Sequence, residues 1–245
     1  MKFPSDLLEA LRAAQHIAVL TGAGASAESG VPTFRDAQTG LWAQFDPAAL
    51  ATPDAFRRNP KLVWEWYAWR RALVERAQPN PGHLALVEME RRVPQFTLIT
   101  QNVDGLHQLA GSRNVIELHG SIRRYKCFAC EAPYALSNEP SEAVPPRCPT
   151  CSGLIRPDVV WFGETLPARA YYAAIEAAQA CDVFFSVGTS GLVEPAASLP
   201  RIARRALATL VTINLDVETE SSPNAYAIHG KAGEVLPALV KAVWG

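Results

Sequence analysis

The stretch Ile17-Ala-Val-Leu-Thr-Gly-Ala-Gly-Ala-Ser26, IAVLTGAGAS, sets the architecture of the chain. Its apolar first half shows no polar alternation, as expected of a strand covered on both faces in a parallel sheet. The glycines that follow make a turn in which backbone can approach a phosphate, with free N–H groups of a following helix beyond it. Glycine-alanine-glycine on its own is weak evidence, because many tight turns look the same.

Further strands of the same kind are Thr97–Thr100, Val115–Leu118, Val183–Val187 and Leu210–Leu215. Helical patterns lie among them at Asp6–Gln15, Gly82–Arg92, Ala168–Ala180, Ala196–Ala206 and Ala232–Val243. Strands alternating with helices predict an α/β fold built on a mainly parallel sheet. Two segments depart from the rhythm. Residues 36–79 read as helices, with Thr52-Pro53 and Asn59-Pro60 as N-cap and first-turn proline signals. Residues 122–158 hold cysteines and prolines and little regular pattern. Both are expected to be insertions forming a smaller lobe, leaving 1–35, 80–121 and 159–245 as the sheet domain.

The 245 residues are 49% apolar and 19% charged, with a formal net charge of −1. That balance argues against an electrostatic footprint for nucleic acid or an anionic membrane. No apolar run approaches the roughly 20 residues of a membrane span, and the N-terminal MKFPSDLLEALRAAQ lacks the apolar block of a signal peptide. A cytoplasmic location is therefore expected.

Four of the five cysteines form Cys127-x-x-Cys130 and Cys148-x-x-Cys151. Two such pairs at this separation match a four-cysteine zinc site. Disulfides are the alternative, and an expected cytoplasmic location argues against them. Four thiolates close the shell, so the expected Zn²⁺ is structural. Cys181 reads as a small buried apolar residue.

Polar groups gather at strand ends. Val187-Gly-Thr-Ser190 and Ile213-Asn-Leu-Asp216 stand where an α/β sheet binds phosphate and ribose hydroxyls. Thr100-Gln-Asn-Val-Asp104 places an amide pair and a carboxylate after another strand. Glu117-Leu-His-Gly120 makes His119 the best general-base candidate of five histidines, since imidazole titrates near neutrality. On position alone, a structural histidine fits equally well.

Taken in order, GAGASAESGVPTFRD (22–36), TQNVDGLHQLAG (100–111), ELHGS (117–121), the two cysteine pairs, VVWFGE (159–164), GTS (188–190) and INLD (213–216) resemble the sirtuin family of NAD-dependent protein deacylases. The resemblance implies a Rossmann-like sheet domain with a smaller zinc-binding and helical lobe, and a substrate cleft between them. It implies that Gly22, Ala23, Gly24 and Ser26 line the NAD diphosphate and ribose, and that Arg35 lies in a loop over the cofactor. Gln101, Asn102 and Asp104 would hold the nicotinamide end, and Asn102 would be catalytic together with His119. Gly188, Thr189, Ser190, Asn214 and Asp216 would contact the adenosine half, with Ala232 near the adenine. INLD stands where INLE is frequent, which makes Asp216 the least secure of these. Val159, Trp161, Phe162 and Gly163 would offer an extended edge to a substrate peptide. In the implied chemistry the acyl oxygen attacks the nicotinamide ribose, nicotinamide leaves, and His119 deprotonates a ribose hydroxyl. Free lysine and O-acyl-ADP-ribose follow. The implied partners are acylated-lysine proteins or peptides, met by a monomer.

The helix running from Asn59 toward Pro79 carries WEWYAWRR (64–71). At about 100° per residue, Leu62, Trp66, Trp69 and Leu73 form one seam, assigned to the core. Val63, Tyr67, Arg70 and Val74 form a second stripe. Tyr67 and Arg70 are neighbours there, and an Arg fork beside a phenol suits a carboxylate. The pair resembles the desuccinylase and demalonylase branch. A surface ion pair for Arg70 and simple packing for Tyr67 is the plain alternative. For the whole chain the alternatives are a deacetylase, an ADP-ribosyltransferase, or a zinc-stabilised binding module.

Overall fold

A computed structural model describes residues 1–32, 46–136, 144–218 and 220–245. In chain order the elements are α1 (Ser5–Ala13), β1 (His16–Thr21), α2 (Gly24–Ala27), α3 (Pro47–Leu50), α4 (Pro53–Arg58), α5 (Pro60–Arg76), α6 (Pro81–Arg92), β2 (Gln95–Thr100), α7 (Leu106–Ala110) and β3 (Val115–Glu117). They continue with β4 (Gly120–Cys127), β5 (Pro133–Tyr134), β6 (Ile155–Val159), α8 (Ala168–Ala180), β7 (Val183–Val187), α9 (Leu199–Arg205), β8 (Thr209–Asn214), β9 (Glu220–Ser222), β10 (Ala225–His229) and α10 (Ala232–Trp244).

A seven-stranded sheet runs β3-β2-β1-β7-β8-β10-β9, parallel throughout except for β9. The continuous apolar runs of β1 and β7 are explained by their two faces. Ile17, Val19, Val183 and Phe185 pack with α1, α6 and α10, whereas Ala18, Leu20 and Phe184 pack with α8 and α9. Every residue of both strands is buried. The strand order reverses between β1 and β7: from β1 the chain builds outward through β2 and β3, from β7 through β8 and β10. Ligand clefts of open α/β sheets form at the carboxyl ends of strands at such a switch point.

The cysteine segment, expected to have little regular pattern, contains a three-stranded antiparallel sheet, β5-β4-β6. Phe56, Val63, Trp66, Ile122, Val159 and Trp161 form one cluster that binds α4 and α5 to this sheet. The expected caps are present. Thr52 Oγ1 accepts from the Ala55 N–H, and Asn59 Oδ1 from the Leu62 N–H. The strand β10 was not anticipated, because its small residues give little apolar signal near the sheet edge. No helix among the described residues is long and apolar enough to cross a membrane.

Candidate active site

The two strand ends at the switch point lock together through backbone. The Gly22 N–H donates to the Val187 carbonyl at 3.0 Å and the Gly24 N–H to the Gly188 carbonyl at 2.9 Å. A Cβ on Gly24 would stand 2.8 Å from Gly188 Cα, and one on Gly188, at φ +60°, would stand 2.4 Å from Ala25 N. Only glycine fits either position. The helix after the turn, α2, is a single turn of four residues. A cavity of about 780 Å³ opens over this lock. Gly22, Ala23, Gly24, Gly188, Thr189, Ser190, Asn214, Asp216 and Ala232 line one side of it. Asn214 Nδ2 donates to the Thr189 carbonyl at 2.7 Å and so ties the ends of β7 and β8 together. The volume and the glycine-lined floor fit a dinucleotide such as NAD.

The loop after β2 supplies the next group. Gln101 and Asn102 line the same cavity. Asn102 Nδ2 donates to the Gly22 carbonyl and to Ser26 Oγ, both at 3.0 Å, which fastens the loop to the glycine turn. Ser26 and Asp104 line a small side recess shared with Asn102 and Arg70. Asp104 Oδ1 accepts from the Leu106 N–H at 2.8 Å, and its carbonyl accepts from Arg123 Nε. Below the loop lies a buried polar chain. Thr21 donates to Thr100 Oγ1, and His107 Nε2 stands 2.9 Å from Thr21 Oγ1. His107 packs on His83, and burial pushes its pKa down to about 3. Its ring is therefore neutral, and structural.

His119 also lines the cavity. Its Nδ1 lies 2.9 Å from the Gln101 carbonyl. A carbonyl only accepts, so Nδ1 carries the proton and Nε2 keeps its lone pair. The His119 carbonyl in turn accepts from the Val160 N–H at 2.9 Å. Burial lowers the imidazole pKa against the opposing pull of the Gln101 bond. The result is a neutral, fixed imidazole.

The opposite wall is built from α5 and residues 159–164. Tyr67, Arg70, Val159, Trp161, Phe162 and Gly163 all line the cavity. The burial of α5 corrects the expected seams. Val63, Tyr67 and Val74 are buried together with Trp66, whereas Leu62, Trp69 and Leu73 are half-buried. The stripe carrying Tyr67 is the inner one because its ring meets Trp161, 6.2 Å between centroids, and its hydroxyl is bonded there. A satisfied phenol can be buried where a bare one could not. Burial, more than any neighbouring charge, raises the Tyr67 pKa, so the phenol stays protonated. The Arg70 guanidinium lies over the Trp66 ring, 5.2 Å from its centroid. The expected peptide edge has its N–H groups partly used. Val160 donates to His119, Trp161 to Glu164 Oε2, and Phe162 to Ala51.

The four cysteines converge, with every Sγ within 4.8 Å of the others. Cys127 and Cys151 are 3.5 Å apart and Cys130 and Cys148 3.8 Å, too far for disulfides. The Cys127 and Cys148 sulfurs each accept a backbone N–H, from Ala129 and Thr150. Donors of that kind stabilise thiolates, and four thiolates in this arrangement fit a structural Zn²⁺. Cys181 is buried, as expected, and lies apart from this group.

The Sir2 family model matches residues 22–195. The chain belongs to the Sir2 family. It is 51% identical to the NAD-dependent protein deacylase of Methylococcus capsulatus, over 99% of this chain and 98% of that protein. It is 53% identical to NAD-dependent protein deacylase 2 of Pyrobaculum aerophilum, over 97% and 95%. A crystal structure of a Sir2 homologue–NAD complex superposes with a TM-score of 0.88 at 43% identity, covering 99% of this chain and 94% of that one.

Sir2 enzymes use NAD. Most of the expected NAD and acyl groups therefore meet in one cavity, with Ser26 and Asp104 in its side recess, while Arg35 lies outside the described residues. One further feature of this wall has no motif in the sequence. Arg156, buried, pairs with Glu164 through both guanidinium ends, at 2.5 and 3.0 Å. Burial opposes ionisation of Glu164, yet the Arg156 donors hold its carboxyl below the usual range. No local pattern marks that pair, because its partners meet across a loop.

Proposed function

We propose that this chain is an NAD-dependent protein-lysine deacylase that removes acidic acyl groups, succinyl and malonyl, and also acetyl. Deacylase activity is the reading supported by the family and by the names of its relatives. One observation carries the acidic preference: Tyr67 and Arg70 line the same cavity as the glycine turn and His119. A phenol that stays protonated and a guanidinium are both donors, and a carboxylate is only an acceptor. An acetyl group ends in a methyl and offers them nothing.

NAD supplies the electrophilic ribose carbon, with nicotinamide as its leaving group. Gly22, Ala23, Gly24, Ser26, Gly188, Thr189, Ser190, Asn214, Asp216 and Ala232 bind the dinucleotide. Gln101, Asn102 and Asp104 orient its nicotinamide end, and Arg35 belongs to the loop above it. His119 accepts a ribose hydroxyl proton at Nε2, the nitrogen left free by the Gln101 bond. Val159, Trp161, Phe162 and Gly163 hold the peptide flanking the lysine. The four cysteines fix the smaller sheet around zinc. We assign the enzyme to the cytoplasm, acting as a monomer on acylated proteins, with neither nucleic acid nor membrane as a partner.

The test is mass spectrometry of product formation from acetyl-, succinyl- and malonyl-lysine peptides with NAD, comparing the unmodified enzyme with Arg70→Met. Losing one charged hydrogen-bond partner should lower kcat/KM for succinyl peptides roughly 10- to 100-fold. The acetyl peptide should lose far less. Equal loss on both removes the acidic preference. Nicotinamide release that is independent of any acyl peptide would favour ADP-ribosyl transfer instead.

A further inference from the structure

Tyr67 lines the cavity, and its hydroxyl has a partner behind it. Trp161 Nε1 lies 3.0 Å from its oxygen, with both side chains buried. An indole N–H can only donate, so the phenol oxygen is the acceptor in this bond. The phenol has a single proton of its own, and among the described residues Trp161 is the hydroxyl's hydrogen-bond partner. That proton is left to donate elsewhere, and Tyr67 borders the cavity.

The indole is itself clasped. The Arg156 guanidinium lies 3.2 Å from the centroid of the Trp161 ring. Its two ends grip the Glu164 carboxylate, and Nη2 also donates to the Val159 carbonyl at 2.7 Å. Glu164 Oε2 closes the loop by accepting the Trp161 N–H at 2.8 Å. Trp161 is thus held by its backbone and by one face of its ring. Arg156 is buried and Glu164 half-buried; an ion pair of this kind adds little net stability, and its use here is to impose a single geometry.

We propose that Trp161 is a positioning residue for acyl selectivity: clasped by Arg156 and Glu164, its indole N–H turns the Tyr67 hydroxyl proton toward the end of an acidic acyl chain. The inference rests on the reading of Tyr67 and Arg70 as the carboxylate site. It adds that a freely rotating phenol at Tyr67 would be a poorer selector, because a donor fixed beforehand loses less on binding.

Trp161→Phe keeps an aromatic ring and deletes the N–H. Its kcat/KM should fall about 10-fold more for succinyl- than for acetyl-lysine peptide, mainly through KM. Fluorescence anisotropy of the two labelled peptides should show the same differential in affinity. Glu164→Gln keeps an acceptor for the Trp161 N–H and weakens the clasp. It should shift the ratio in the same direction by a smaller factor, and it decides the matter should Trp161→Phe fail to fold. Equal losses on both peptides, alongside a selective loss in Arg70→Met, would overturn the positioning role and leave the carboxylate site standing. Equal losses in Arg70→Met as well would overturn both.

Discussion

One wall of the cavity is made of backbone and the other of side chains. The wall at the sheet is the joined ends of β1, β7 and β8, where peptide groups of Gly22, Gly24 and Gly188 touch each other directly. The facing wall is Tyr67, Arg70 and Trp161, positioned by rings, a clasped ion pair and one indole bond. Backbone walls are set by topology and hold what is common to a reaction. On the proposed function, the side-chain wall tells one acyl group from another. His119 stands between them, bound by its ring to the Gln101 carbonyl and by its backbone to Val160.

The largest effect should come from that junction. On the proposed function His119→Ala removes the base that either kind of acyl group needs, so turnover should fall about 10²- to 10⁴-fold equally on acetyl and succinyl peptides. Near-normal activity would remove His119 from the chemistry, and a selective loss would break the division between the walls. A middle-sized effect is expected from Gly188→Ala. The added Cβ collides with backbone and the residue must hold a positive φ, a strain of about 1–3 kcal/mol or more. NAD affinity measured by calorimetry should drop about 10- to 100-fold, with the ratio between acyl peptides unchanged. A changed ratio would mean that the walls are mechanically coupled.

The effect least tied to the site itself sharpens the comparison through pH. The folded His107 has its pKa lowered to about 3, whereas an unfolded histidine titrates near its ordinary 6.5. Below that value the unfolded chain takes up a proton that the folded chain refuses. The stability His107 contributes by staying neutral is therefore fully present above about pH 6.5 and is lost progressively toward pH 3, by up to about 1.4 kcal/mol per unit. Urea midpoints should fall between pH 7 and pH 5, and less steeply in His107→Gln. Identical slopes would show that the histidine beneath the backbone wall is not the group responsible.

The same contrast explains what the amino-acid order discloses. IAVLTGAGAS foretells β1 and its turn because both obey local rules: β-branched residues for a covered strand, glycines where backbone meets backbone. The cysteine pairs are legible because metal geometry imposes a spacing. Of the two stripes of α5, the seam given to the core is only part of it: Trp66 is buried and Leu62 and Trp69 pack beside it, yet Val63, Tyr67 and Val74 are buried too. Periodicity separates two faces, but it cannot tell that Trp161, far along the chain, waits to bond Tyr67. Arg156 and Glu164 are silent for the same reason, and β10 because Ala225 and Ala227 carry little apolar signal.

The contact between Gly24 and Gly188 has a genetic corollary. When two side chains collide, a second-site change can shrink one of them. Here nothing remains to shrink, since Gly188 Cα and its carbonyl already fill the space a Cβ on Gly24 would need. A selection for intragenic suppressors of a Gly24 or Gly188 substitution should therefore return true revertants and no compensating partner.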